Sequence, residues 1–365
     1  MREICAGTNV DLGTAAAFRE QWAREASEGG PEGPTSPRGP DCRPKQVLLR
    51  TGQAPGDAVA MTAAIYSLHR AHPGRYVTAV ESYWPEVFQH NPDVAEHLMP
   101  TGVSPRAPDK YSDVEMHYPA IHQSNDRAVH FMQGWCEFLG MALGVSVPLL
   151  TNRPRLYFKE SMIPYPLDGA YWLICSGGKR DFTTKLWGHD NYQKVVKLLK
   201  GKVYFIQVGG SKPPVQWHPS TMGSMEDNHP ALDGTAANMV GMTSLRELFN
   251  LVRRCRGVVC GVSLLMHVAA ALEKPAVVIA GGREPVAWNA YPKQQYIHTV
   301  GALPCRDARG RLGGACWRYR TEPLGDGTLL DRDTCERPTG GTPECMAMIT
   351  PREVANLVLR YNKQP

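Results

Sequence analysis

The sequence predicts an α/β protein built on parallel sheets, and three observations carry that expectation. The stretch 256–275, RGVVCGVSLLMHVAAALEKP, reads as buried strand, tight turn, apolar helix and exit, and AVVIAGGREP follows as a second strand ending in a Gly pair. The stretch from Gln46 repeats the pattern, with QVLLR as strand, TGQAPG as turn, Asp57 to His72 as helix and YVTAV as strand. Strand–helix–strand units make parallel pairs, whose ligands lie at the carboxyl ends of the strands. The length of 365 residues exceeds one ordinary core and points to two domains.

The chain opens on an extension, 1–44. Residues 13–23 suit a short helix. Residues 24–44 are too rich in Gly, Pro, Ser and charge to bury much apolar surface, as in a linker or a surface-pinned extension. The start has no basic segment followed by an apolar one, so no secretory leader is expected. No run approaches the roughly 20 apolar residues that span a bilayer. A cytoplasmic protein is the expectation. The net charge of +5 suits phosphorylated ligands and falls short of a nucleic-acid footprint.

The first domain is expected over 45–163. Its first helix carries Ala58, Met61, Ile65 and Leu68 near one face, and Pro73-Gly74 ends it. Residues 111–126, YSDVEMHYPAIHQSND, are polar and aromatic without periodicity, as in a loop that lines a cleft. In it His117, His122, Gln123, Ser124 and Asn125 can meet acceptor hydroxyls; alternatively Asn125 or Asp126 caps a helix over 127–143.

The second domain is expected over 164–350. YWLICSGG runs from a strand into a Gly turn, where Ser176, Gly177 and Gly178 offer N–H groups suited to phosphate. In GMTSLRELFNLVRRC, Thr243 or Ser244 is the N-cap, with Glu247 placed for a capping box. Ser263 suits the N-cap of the following helix, whose free N–H groups at Ser263, Leu264 and Leu265 favour an anion. Residues 351–365 form a closing helix with Thr350 as cap and Pro351 in its first turn.

Six cysteines are scattered, several in apolar strands or helices. The other four, Cys305, Cys316, Cys335 and Cys345, crowd into a Gly-, Pro- and charge-rich loop over 302–346. A loop of that length needs something to pin it. In a reducing compartment four local thiols point to tetrahedral zinc or iron, with two disulfides or free thiols as the alternatives. With no open position, such a metal is structural.

GVSLLMHVAAALEKPAVVIAGGREP resembles the nucleotide-sugar signature of glycosyltransferase family nine, the heptosyltransferases, whose segment reads D-T-G-x-x-H-x-A-A-A-L-x-x-P. His267, the run Ala269-Ala270-Ala271-Leu272 and Pro275 are kept; Val262 stands in place of the Asp and Leu264 in place of the Gly. R-T-G-Q-A-P-G-D is similar to the family's first loop, where Asp57 matches the proposed catalytic base. A carboxylate there also suits a plain helix start. T-T-K-x-W resembles the phosphate-binding segment, so Thr184 and Lys185 fall at the donor diphosphate. G-x-T-S-L resembles the stretch near the nucleoside, with Met242 as the residue to pack on the base.

The resemblance implies a GT-B architecture, two Rossmann-like doubly wound domains facing a central cleft, with the closing helix over 351–365 crossing back to the first domain. It further implies inverting transfer of a heptose from ADP-heptose to an acceptor hydroxyl. The donor set would be Ser176, Gly177, Gly178, Thr184, Lys185, Met242, Ser263, Leu264, Leu265, His267 and Gly282; the acceptor set would be His122, Gln123 and Asn125. The acceptor stays open among glycan, protein, natural product and modified nucleobase, and a homo-oligomer is allowed. Two other readings stand beside it: a sugar-nucleotide 2-epimerase of the same fold, and a non-catalytic binder that has lost the Asp at position 262. Bacterial autotransporter heptosyltransferases, a branch of the family, carry a four-cysteine iron site, which favours iron over zinc at the four-cysteine loop.

Overall fold

Two sheets, every pairing parallel, carry the fold. A computed structural model describes residues 43–98, 111–118, 123–159, 171–210, 227–307 and 309–362. The expected extension, the acceptor candidate His122 and the expected boundary near 164 lie outside the described residues. The first sheet has the order β3-β2-β1-β4, from β1 (Lys45–Thr51), β2 (Tyr76–Ser82), β3 (Glu96–Leu98) and β4 (Ser112–Glu115). The second has the order β12-β11-β10-β5-β7-β9. Its strands are β5 (Tyr171–Cys175), β7 (Tyr204–Gln207), β9 (Ala237–Asn238), β10 (Gly257–Gly261), β11 (Ala276–Gly281) and β12 (Gln294–His298). Two short antiparallel ribbons pair β6 (Gly178–Lys179) with β8 (Asp227–Asn228) and β13 (Pro338–Thr339) with β14 (Thr342–Pro343). Each parallel order reverses once, between β1 and β4 and between β5 and β10. At such switch points successive crossovers leave to opposite faces and a crevice opens.

The helices are α1 (Pro55–Ala71), α2 (Phe131–Leu143), α3 (His189–Leu198), α4 (Leu245–Arg254), α5 (Leu264–Ala271), the short α6 (Val286–Asn289) and α7 (Glu344–Ala347), and α8 (Pro351–Asn362). The expectation of a one-faced α1 needs correction. Ala58 to Ala64 are buried almost without break, because α1 packs on α2 and α5 as well as on its own sheet. One apolar cluster therefore runs from Val47 and Ile65 through Trp135 to Leu173, Val258 and Val268. A second cluster fills the opposite face of the second sheet, under α3 and α8. The described residues from Pro44 onward form one compact unit. Among the described residues no helix is long and apolar enough to cross a membrane.

Four local expectations change. Residues 112–115 are a strand rather than loop, with Val114 inward on β1; the alternation was too short to read. The cap of α2 is His130, whose Nδ1 accepts from the Met132 N–H at 3.1 Å, so neither Asn125 nor Asp126 caps it. Ser263 occupies the N-cap of α5 but makes no side-chain cap bond. The closing helix α8 packs on α3 and β11, and its buried Val354, Ala355 and Val358 stay on the second sheet instead of crossing to the first. The capping box of α4 forms as expected between Ser244 and Glu247, and Thr350 Oγ1 accepts from the Glu353 N–H at 3.2 Å.

Gly56 sets how closely α1 meets α5. A Cβ there would stand 2.9 Å from His267 Cδ2 and 3.4 Å from the Leu264 Cα. Gly56→Ala should therefore lower the urea midpoint with an unchanged m-value, by about 1–3 kcal/mol of overpacking. An unchanged midpoint would mean that the two helices separate without cost.

Candidate active site

The candidate residues gather at the carboxyl ends of the two switch points. The turn after β1 delivers Asp57 to the first turn of α1, where the helix dipole favours a carboxylate. Asp57 Oδ2 accepts a 2.6 Å hydrogen bond from the hydroxyl of Tyr118, which follows β4. From the second sheet, α5 brings in the buried ring of His267, whose Nδ1 lies 2.8 Å from the Tyr291 hydroxyl. Burial, and then the Asp57 charge, push both the Tyr118 and the Tyr291 phenols upward. Asp57, Tyr118, Tyr291 and His267 thus belong to one site.

Lys185 ends the turn Arg180–Lys185, and its Nζ lies 2.8 Å from Glu284 Oε1. Glu284 is 1% exposed and also pairs with Arg283 and the Asn289 amide. Burial raises the Glu284 pKa, but Lys185 and then Arg283 outweigh it, so the carboxyl lies below its usual value. Arg283 is held among the rings of Phe182, Trp317 and Tyr319, at 5.5, 5.7 and 5.5 Å from their centroids. Nothing in the periodicity marked Glu284, Arg283, Tyr118 or Tyr291 as site residues. The only trace was the density of polar and aromatic side chains in 111–126 and the acid–base pair after the Gly281-Gly282 turn.

The remaining candidates divide. Ser176, Gly177 and Gly178 follow β5, with the Ser176 hydroxyl accepting from Gln207 Nε2 at 3.3 Å. Thr184 faces the cysteine-rich loop, its hydroxyl 2.6 Å from the Arg318 carbonyl and 3.0 Å from that of Tyr319. The Leu265 side chain is buried, so it can offer a ligand only its N–H; Met242 is 69% exposed and packs on little. Val262, at the position of the family's Asp, is buried in the core. Asn125 lies in a one-turn helix over Gln123–Asn125, while the Gln123 side chain is outside the described residues.

Cys305, Cys316, Cys335 and Cys345 are free thiols lining one cavity with Thr184, Gly282 and Arg283. A Cβ on Gly282 would stand 3.4 Å from Cys345 Sγ. Burial, together with the other three sulfurs, pushes the Cys345 thiol up to about 11. The donor set has the chemistry of a thiolate metal site. Among the described residues, however, no three His, Cys, Asp or Glu side chains converge closely enough to hold an ion. The loop is ordered by other means. Buried Arg320 bonds Asp326 and Asp331, the Cys316 and Trp317 N–H groups donate to the Gly282 and Arg283 carbonyls at 3.2 and 3.1 Å, and Arg309 and Arg311 reach Asp126 at 2.6 and 2.8 Å.

Burial lowers the His130 imidazole to about 4. Burial, and then the Lys185 charge, lower that of His267 to about 3. Both stay neutral in the fold where an unfolded imidazole takes up a proton below about 6.5. Their contribution is thus complete above that pH and is lost as pH falls toward 4 and 3. Each contributes a slope of about 1.4 kcal/mol per pH unit in that window. His267→Gln should reduce the slope of stability against pH by about that amount, read from urea melts at several pH values; an unchanged slope would contradict a neutral buried ring.

Residues 136–314 match the sequence profile of glycosyltransferase family 9 (heptosyltransferase). Lipopolysaccharide heptosyltransferase 2 of Salmonella typhimurium is 30% identical over 101 residues, 28% of this chain and 28% of that protein. Lipooligosaccharide heptosyltransferase 2 of Haemophilus ducreyi is 33% identical over 97 residues, 26% of this chain and 27% of that one. The aligned part thus spans little more than a quarter of these curated relatives. Among solved structures, the dodecameric iron-containing heptosyltransferase TibC of enterotoxigenic E. coli, solved with ADP-D-beta-D-heptose, superposes with a TM-score of 0.57 at 16% identity, covering 88% of this chain and 77% of that one. A family 9 glycosyltransferase of Veillonella parvula gives 0.53 at 12% identity, covering 88% and 98%. Residues 136–314 are thus similar in sequence to glycosyltransferase family 9 (heptosyltransferase), and the chain shares the GT-B fold of these solved structures.

Proposed function

We propose that the protein is an inverting glycosyltransferase that moves a heptose from ADP-heptose to an acceptor hydroxyl. What supports the reading most is the meeting of the two switch points. Asp57 at the start of α1 lies beside the α5 start and His267, with Lys185 on the same edge. In the proposed step the acceptor oxygen attacks the anomeric carbon while Asp57 takes its proton. The bond from that carbon to the diphosphate oxygen breaks with its electron pair on the leaving ADP. A carboxylate base opposite the leaving group is the logic of inversion. Lys185 and the free N–H groups at Ser263, Leu264 and Leu265 would stabilise the leaving diphosphate, as preorganised donors do. Neutral His267 would add a hydrogen bond rather than a charge.

We further propose that the four cysteines, which line one cavity without yet converging, draw together on one structural iron or zinc. The ion would fasten the 302–346 loop to Gly282 and Arg283, and no step of transfer runs through it.

Turnover can be read without the natural acceptor, as ADP released from ADP-heptose with water as nucleophile. Asp57→Asn should cut it on the order of 10²-fold or more while ADP affinity stays within about two-fold. Full activity in Asp57→Asn would remove the residue from the chemistry, and epimerised ADP-heptose without ADP release would favour the isomerase.

Elemental analysis of the purified chain should find one metal per molecule. Cys345→Ser should lose that metal and melting temperature together, since the folded site alone binds it. Metal-free protein whose stability a chelator leaves untouched would refute the site.

A further inference from the structure

We propose that Tyr118 is a positioning residue for Asp57: its hydroxyl fixes the plane of the carboxylate and favours its charged form. The inference rests on the reading of Asp57 as the base. It starts from topology. β1 and β4 are the neighbours that flank the switch point of the first sheet, and the chain leaving each one ends in a member of this pair. The hydrogen bond from Tyr118 Oη to Asp57 Oδ2 is 2.6 Å, in the range of charge-assisted O–H to carboxylate bonds. A carboxyl group held by one oxygen can no longer turn about its Cβ–Cγ bond, so the direction of its other oxygen is set.

The tyrosine ring is itself held. It stacks on Phe131 with centroids 5.9 Å apart and planes at 22°, and Phe131, at the start of α2, packs on Trp135 and Trp288. Tyr118 is nonetheless 41% exposed. A side chain anchored on one face and open on the other, with its hydroxyl on the base, is what a cleft wall needs and what a core residue lacks. Burial of the hydroxyl and the adjoining Asp57 charge hold the phenol in its protonated, donating form. The charged and titratable groups around the pair are Tyr291, His267 from α5, and Arg283 and Glu284 from the turn after β11.

The test uses Tyr118→Phe, which keeps the ring on Phe131 and removes only the donor. Losing a hydrogen bond to the charged form raises a carboxyl pKa. Carbon-13 NMR of side-chain-labelled aspartates, with Asp57→Asn identifying the resonance, should place the Asp57 midpoint about one pH unit higher in Tyr118→Phe. The acid limb of ADP-heptose turnover should move up by the same amount and kcat should fall about ten-fold, with KM for ADP-heptose and affinity for ADP unchanged within two-fold. An unmoved Asp57 midpoint, or a loss of ADP affinity in place of the pH shift, would overturn the proposal. The underlying reading fails separately: if Asp57→Asn keeps its turnover, Asp57 is not the base, whatever the Tyr118→Phe titration gives.

Discussion

The contact between Gly56 and His267 sets the geometry on which the site depends. Each sheet opens its crevice at the carboxyl end of its own switch point, with Asp57 after the first strand of one and Lys185 and the start of α5 on the other. They become one site because α1 and α5 approach through a residue without a side chain. The imidazole that fills the gap is pinned by Tyr291 and excluded from water. The starts of α1 and α5 are thereby brought together, and the dipole of each favours negative charge there. The uncommonly complete burial of α1 follows from the same approach, since the helix must contact the second half as well as its own sheet.

The cysteine-rich loop acts on this geometry from outside. Its apolar anchors are Ala315 and Trp317, which join the main apolar cluster, and polar contacts supply much of the rest of its order. Arg320 supplies a hub, with two carboxylates on one guanidinium and the Asp331 oxygens also taking the Leu324 and Gly325 N–H groups at 2.9 and 2.8 Å. The loop then grips the turn that ends at Lys185 and the Gly282–Glu284 turn through main-chain bonds. Through Arg309 and Arg311 it also reaches Asp126 beyond the first sheet. Those last pairs are partly exposed, so solvent screening leaves each of them a small contribution. A metal on the four sulfurs would thus reinforce a loop that already has a scaffold, rather than create order from nothing.

Strong local signals made the fold legible. The two strand–helix–strand units, the Ser244–Glu247 capping box and the Thr350 cap all depend on neighbours in sequence, and they appear where the residues put them. What failed to show itself was set by contacts distant in sequence. β4 is only four residues, shorter than any period that can be read, and it exists because β1 offers it an edge. His130 caps α2 although Asn125 and Asp126 are the more usual capping types. The same holds at the site. Lys185 was visible through its motif, but its partner Glu284 lies 99 positions away in another crossover, and only the folded sheet brings them within 2.8 Å.

That pairing also bears on how the site receives an anion. Lys185 and Arg283 are two cations close together, the arginine buried and the lysine partly exposed, and leaving both uncompensated would be costly. Glu284 cancels one charge and holds the lysine by a hydrogen bond, so the cluster of three carries a net single positive charge. His267 adds none, because burial keeps it neutral. A diphosphate arriving under the proposed reading meets a lysine already oriented and a site still positive, while Asp57 keeps its own negative charge toward Tyr118. Were Glu284 absent, the affinity for any anion would rise, but the lysine would lose its fixed direction. Were His267 charged, it would compete with the lysine for the same oxygens. The arrangement trades strength of attraction for definition of place, and transfer to one defined carbon benefits more from the second.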